Sequence, residues 1–116
     1  MAESKWIEFD GGSAVGRKGS EGGTTIKDEE HSRGARITLE CDTQIAPFAI
    51  TCGIYGWMVH TRFFRNHVDA LREYEQMKMA ISAILSTIAN AADDNLGGDR
   101  TGRISSEIED FVKMFP

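Results

Sequence analysis

Apolar and polar residues alternate with a period of two in the first half of the chain, which is typical of β-strands. The alternation is complete over residues 36–41 and 48–54, and weaker strands are predicted at 5–9 and 23–27, with a polar turn at 29–34. These segments follow one another through short connections without an intervening helix. We therefore predict an antiparallel meander.

The number of strands depends on residues 53–57. Tyr55 and Gly56 either close a tight hairpin into a strand over residues 57–64, or Gly53 and Gly56 mark bulges within one long strand. The sequence leaves both arrangements open. The predicted sheet therefore has four or five strands.

The apolar period changes to that of a helix after Asn66, which is a suitable N-cap with Asp69 in the first turn. Residues 68–91 contain neither Gly nor Pro, and apolar side chains recur every three or four positions. Such a helix is about 36 Å long. Five strands at about 4.8 Å spacing span only about 24 Å, so we expect the helix to extend beyond the sheet.

A second, shorter helix is predicted at the C-terminus after a loop over residues 91–102. Ser106 and Glu109 have the spacing of a capping box, so the helix is expected to begin near Ser105 or Ser106. The fold class is thus α+β, with the long helix packed on one face of the sheet. We predict a single domain over residues 1–116 in which the glycine-rich residues 11–23 form a flexible loop.

Composition and charge say little about the fold, but they limit the kinds of partner that the protein can bind. The chain has 116 residues, is 41% hydrophobic and carries a net charge of −5, so we expect an acidic protein that does not bind nucleic acid. The uncharged run 43–61 contains too many Gly, Pro and polar residues for a membrane span, and no membrane partner is expected. Two cysteines and no signal-like segment predict a cytoplasmic location.

The glycine-rich stretch has a superficial likeness to a phosphate-binding loop. Gly11 and Gly16 have the required spacing, but Arg17 stands in place of the lysine and Lys18 in place of the Ser or Thr. A partial calcium-loop pattern near the C-terminus lacks its final glutamate, because position 12 is Ile104. We therefore predict neither a metal nor a cofactor.

The histidines and cysteines are not expected to be catalytic. We predict that His31 lies in a solvated turn and that Cys52 is buried. In the last strand, His60 and Arg62 share one face, while Trp57 and other apolar residues occupy the opposite one. The apolar side resembles a core face, so His60 and Arg62 are expected to point outward.

Two functional hypotheses follow from these patterns. The first is a small non-catalytic interaction or regulatory protein, acting as a homodimer or with another protein partner, because the helix has more apolar surface than the sheet can cover. The second is a small-molecule binder or small enzyme with the glycine-rich loop as a lid. Its pocket would be formed by Glu40, Tyr55, Trp57, His60 and Arg62.

Overall fold

A computed structural model describes residues 5–94 and 100–116 of the chain. A short 3-10 turn, Phe9–Gly12, follows the first strand. The strands and helices are β1 (Trp6–Glu8), β2 (Thr24–His31), β3 (Ala35–Cys41), β4 (Phe48–Ile54), β5 (Met58–Phe64), α1 (His67–Asp94) and α2 (Arg100–Met114).

The five strands form one antiparallel sheet in the order β1-β2-β3-β4-β5, which confirms the α+β meander. The open question at the β4–β5 connection is resolved as a hairpin. The backbone N–H of Trp57 donates to the Ile54 carbonyl at 2.9 Å, and Gly56 has a φ of 83°. Because a positive φ at the third position of a turn favours glycine, Gly56 allows the tight reversal.

β2 is longer than predicted and includes residues 29–31, the first half of the predicted polar turn over residues 29–34. Arg36 donates two hydrogen bonds to the buried Asp28, at 2.9 and 2.6 Å. Lys78 of α1 contacts Glu29 at 2.9 Å. His31, predicted to be solvated, is buried at the end of β2. Charged residues are stable within this strand because each finds a partner across the sheet or on the helix.

The hydrophobic core lies between the sheet and α1. In an antiparallel pair, directly opposite residues point to the same side of the sheet. The side facing α1 therefore contains Ile37 and Leu39 of β3 together with Ile50, Cys52 and Ile54 of β4. The buried residues of α1 that pack against them are Ala70, Tyr74, Met77, Ile81, Ile84 and Leu85.

The apolar surface of α1 beyond the sheet is covered by α2 of the same chain. With 28 residues, α1 is about 42 Å long, and it continues through the predicted loop to Asp94. α2 begins at Arg100, earlier than the predicted start near Ser105 or Ser106. Ile104, Phe111 and Phe115 are buried. The excess helix length therefore does not require a second subunit.

His60 and Arg62 point toward the helices, contrary to the sequence prediction. His60 Nε2 lies 2.6 Å from the Phe115 carbonyl oxygen, and Arg62 Nη1 donates to Glu73 at 2.9 Å. The register with β4 places both side chains on the core side. Met58 and Phe64 share this side and pack against the core, whereas Val59 and Phe63 lie on the other face, where Val59 is 80% exposed. The C-terminal residues thus cover the polar side of β5.

The burial of His31 generates a prediction about acid stability. Its Nδ1 accepts a hydrogen bond from the Arg33 backbone N–H at 3.0 Å, and its ring contacts the Trp6 ring edge-on. Burial lowers the pKa of His31 below 6.5, and the positive charges of Arg33 and Lys5 lower it further. The fold therefore favours the neutral ring. The stability that the neutral ring contributes is complete above the pKa of His31 in the unfolded chain, and it is lost as the pH falls through the lower pKa in the folded chain.

We expect thermal unfolding from about pH 8 to about pH 5 to show a larger loss of Tm in the native chain than in His31→Gln. Glutamine stays neutral over this range, so the difference between the two curves isolates the histidine. Parallel curves would contradict a titrating role for His31.

Candidate functional site

The face of the sheet opposite α1 is partly covered by the glycine-rich loop, residues 11–23. The backbone N–H of Gly16 donates to the Thr25 carbonyl at 2.7 Å, and that of Thr25 donates to the Arg17 carbonyl at 2.8 Å. Within the loop, Gly19 N–H donates to the Gly23 carbonyl at 2.8 Å. These bonds fix the position of the loop on the sheet, while its flexibility stays a prediction.

The carboxylate of Glu40 connects this loop to the sheet. Glu40 is fully buried, and its Oε1 accepts hydrogen bonds from the backbone N–H groups of Glu21 and Gly23, both at 3.1 Å. The Ser20 hydroxyl lies 3.4 Å from its other oxygen. Backbone N–H groups that converge in this way form an anion-binding nest, and here the anion belongs to the protein itself.

The close approach of loop and sheet explains two of the glycines. A Cβ at position 19 would overlap the Glu40 carboxylate, and a Cβ at position 23 would overlap the Cys41 carbonyl oxygen. Both positions therefore require the smallest residue. The N–H groups of residues 21 and 23 are bonded to Glu40, so they are not free to bind a phosphate.

A cavity of 820 Å³ lies between the glycine-rich loop and the β4–β5 hairpin. The loop forms one wall, strands β3 and β4 form the floor, and the hairpin forms the opposite wall. The loop wall includes Arg17, Lys18 and Ser20. The floor includes Arg36, Thr38 and Thr51, and the hairpin wall includes Tyr55, Trp57 and Val59.

Hydroxyl groups dominate the floor of the cavity. Thr51 Oγ1 lies 3.3 Å from Thr61 Oγ1 and 3.5 Å from Ser20 Oγ, and the Thr38 hydroxyl donates to the Thr51 carbonyl at 3.4 Å. All three separations exceed the usual length of an O–H···O hydrogen bond. The hydroxyls therefore retain the capacity to bond a ligand.

An ion pair between the half-exposed Arg36 and the buried Asp28, together with a tyrosine, borders the floor. The guanidinium of Arg36 lies 3.6 Å from the centre of the Phe9 ring, and its bond to Asp28 raises its pKa. Tyr55 donates its hydroxyl hydrogen to Glu30 at 2.7 Å. Burial, followed by the bond to Glu30, raises the pKa of Tyr55 to about 12. Tyr55 therefore remains protonated near neutral pH.

The cavity is positively charged although the protein is acidic. Arg17 and Lys18 both line it, and neither forms an ion pair with any residue that the structure describes. The third lining cation, Arg36, is balanced by Asp28. Two positive charges without an ion-pair partner thus border the cavity, and the nearby carboxylate of Glu40 is bonded to N–H groups of the loop.

The five residues of the sequence-predicted pocket do not form one site. Tyr55 and Trp57 line the cavity, and Glu40 lies on the same side of the sheet beneath the loop. His60 and Arg62 lie on the opposite side, against the C-terminal residues. The prediction of a shared pocket is therefore corrected, because the sheet separates its members.

Of the lining residues, only Tyr55 and Trp57 were predicted, and those missed include Arg17, Lys18, Thr38 and Thr51. The signal for the two threonines was present in the sequence, because both occupy the polar positions of complete alternating strands. Arg17 and Lys18 were considered only as misfits to a phosphate-binding motif. Their contribution depends on how the loop folds back over the sheet.

The described residues offer little chemistry for catalysis. Burial raises the pKa of Cys52 to about 12, so its thiol is a poor nucleophile. Within residues 5–94 and 100–116, no group of three or more His, Cys, Asp or Glu side chains is arranged to hold a metal ion. The partial calcium-loop pattern at 93–104 falls partly outside the described residues.

Comparison with known proteins adds no functional information. No protein family, no curated protein and no solved structure matches this chain. Among the described helices, none has the length and apolar character needed to cross a membrane. Function is therefore inferred from the geometry of the cavity and of the exposed surface.

The attachment of the loop can be tested with Glu40→Gln. Glutamine keeps one acceptor oxygen but loses the negative charge that strengthens the bonds from the Glu21 and Gly23 N–H groups. Its NH2 group also replaces Oε2, which the Glu21 N–H approaches to 3.2 Å. We expect the free energy of unfolding to fall by about 2 kcal/mol, measured by urea denaturation. The exposed Glu109→Gln serves as control, and an equal effect of both substitutions would contradict the role of Glu40.

Proposed function

We propose that this protein is a non-catalytic binding protein that takes a small molecule into the cavity beneath the glycine-rich loop. The observation that supports this proposal is the cavity itself, whose 820 Å³ falls within the range of about 300–1,000 Å³ common for ligand sites. Its lining combines apolar walls with a few polar groups, as ligand pockets do. A cytoplasmic location with both thiols free forms part of the proposal.

Binding without reaction agrees with the state of the titratable groups. Asp28 is held by Arg36 and Tyr55 by Glu30, so neither is free to accept a proton from a ligand. Among the residues that the structure describes, the hydroxyls of Thr38 and Thr51 contact a backbone carbonyl and other hydroxyls, and none contacts a histidine or a carboxylate. A nucleophile without an adjacent base is weak, which favours binding over catalysis.

The two tryptophans permit a test without added labels. Trp57 lines the cavity, whereas Trp6 is buried on the other side of the sheet and donates to Ser82 at 3.0 Å. We expect a ligand in the cavity to change the fluorescence of Trp57 alone. A screen of small molecules should therefore give saturable signals in the native chain and in Trp6→Phe, and none in Trp57→Phe.

Isothermal titration calorimetry of Trp57→Phe separates loss of signal from loss of binding. Heat that remains without a fluorescence change confirms that the ligand lies beside Trp57. A ligand whose signal persists in Trp57→Phe and disappears in Trp6→Phe binds elsewhere and would argue against the cavity.

A second candidate is self-association through β5. The excess length of α1 is weaker support for a homodimer, because α2 packs against Ile84 and Leu85 in the C-terminal half of that helix. A different surface favours it: β5 is an edge strand, and Val59 and Phe63 on its open face are 80% and 40% exposed. Two such edges can pair around a two-fold axis, because an antiparallel pairing of identical strands is self-complementary.

Charge on this edge should prevent such pairing. If the protein is dimeric in analytical ultracentrifugation, we expect Val59→Lys to shift it to monomer and weaken association about tenfold or more. The control is Val68→Lys, which places the same charge on a valine of α1 that is 72% exposed. A strictly monomeric native chain at high concentration would exclude this candidate.

A further inference from the structure

On the basis of the proposed function, we infer that the ligand of the cavity is an aromatic molecule that bears an acidic group, such as a carboxylate, sulfonate or phosphate. The acidic group would lie near Arg17 and Lys18, and the aromatic part near Tyr55 and Trp57. The acidic group and the aromatic part would thus be recognised by different residues, which lie on opposite walls of the cavity.

The charge of the ligand follows from the unbalanced cations. Arg17 and Lys18 are adjacent on the loop, both line the cavity, and no described acidic residue pairs with either. The carboxylate that lines the cavity, Asp28, is already bonded twice to Arg36. The carboxylate of Glu40 lies beneath the loop and is already bonded to loop N–H groups. An anionic ligand therefore meets two lining cations without an ion-pair partner, and the acidic side chains near it are already hydrogen-bonded, which favours an acid over a neutral or cationic molecule.

The polar contacts available to the acid come from side chains. Two backbone N–H groups of the loop, those of Glu21 and Gly23, bind Glu40 instead. The Ser20 and Thr51 hydroxyls make only long contacts and can turn toward a ligand oxygen. Removal of the charged side chains should therefore remove most of the recognition of the acidic group.

The aromatic part follows from the hairpin wall. Tyr55 and Trp57 expose 53% and 37% of their surface, and the neighbouring Val59 is exposed as well. Clustered apolar groups in contact with water favour a ligand that covers them. Aromatic rings add offset-stacked and edge-to-face contacts to this burial, so a ring system fits the wall better than an aliphatic chain of similar size.

A matched pair of probes tests the two halves. 8-Anilinonaphthalene-1-sulfonate and N-phenyl-1-naphthylamine share one ring system, but only the first bears an acidic group. We expect the sulfonate to bind the native chain about tenfold more tightly, with quenching of Trp57. In R17Q/K18Q this advantage should disappear while the affinity for the neutral probe is unchanged.

The control is R65Q/K113Q, which removes two exposed charges from residues that do not line the cavity. It should leave the affinities for both probes as in the native chain. Probe affinity can also be measured in the native chain at about 0.02 M and about 0.5 M salt. The higher salt concentration should screen the two cations and weaken the binding of the sulfonate probe, but not that of the neutral probe. This salt test applies even if R17Q/K18Q fails to fold, as judged by circular dichroism.

The outcomes separate the inference from the proposed function. Equal affinity for the two probes, with Trp57 quenched by both, would overturn the acidic ligand and leave the cavity as a binding site. Competition by inorganic sulfate as effective as that by the aromatic sulfonate would overturn the aromatic part. Failure of both probes to affect Trp57 would overturn this inference, while the proposed function would still be decided by the wider screen described above.

Discussion

Successive side chains of a β-strand point to opposite sides of the sheet, and this constraint determines where every group of interest in the protein lies. Because paired residues share a side, one row across β3, β4 and β5 faces the helices: Ile37, Cys52 and His60. The adjoining row consists of hydroxyl residues on the other side: Thr38, Thr51 and Thr61. The register that forms the core therefore also forms the floor of the cavity.

Local sequence was sufficient to predict those strands and helix ends whose residue pattern is complete. β3 and β4 show full alternation, and the N-cap of α1 is confirmed by the Asn66 side chain, which accepts from the Asp69 backbone N–H at 2.8 Å. β2 was assigned too short because Asp28 and Glu29 resemble turn residues in isolation. The partner of Asp28 is Arg36, 8 positions along the chain in β3, and the partner of Glu29 is Lys78, 49 positions along the chain in α1. Only the assembled fold therefore shows why these two residues are stable in a strand.

The candidate site was harder to predict because it depends on which side of the sheet each strand presents. Apolar content alone placed the side of β5 with Trp57 and Val59 in the core, but its register with β4 turns His60 and Arg62 inward instead. Tyr55 and Trp57 were rightly grouped as neighbours, since a hairpin turn keeps them close. The hypothesis of a pocket included the glycine-rich loop as a lid. Which loop residues line the cavity depends on where the segment returns to the sheet, and no local pattern contains that information.

In the glycine-rich loop, the residues that attach it to the sheet differ from those that we propose to recognise a ligand. Gly19 and Gly23 permit its contact with Glu40 and the sheet, whereas Arg17 and Lys18 face the cavity. Exchanges at the latter two positions leave the anchoring contacts in place. Ligand preference can therefore diversify, by natural drift or by laboratory selection, on a scaffold whose architecture is conserved. Such modularity makes the segment a natural starting point for engineered receptors.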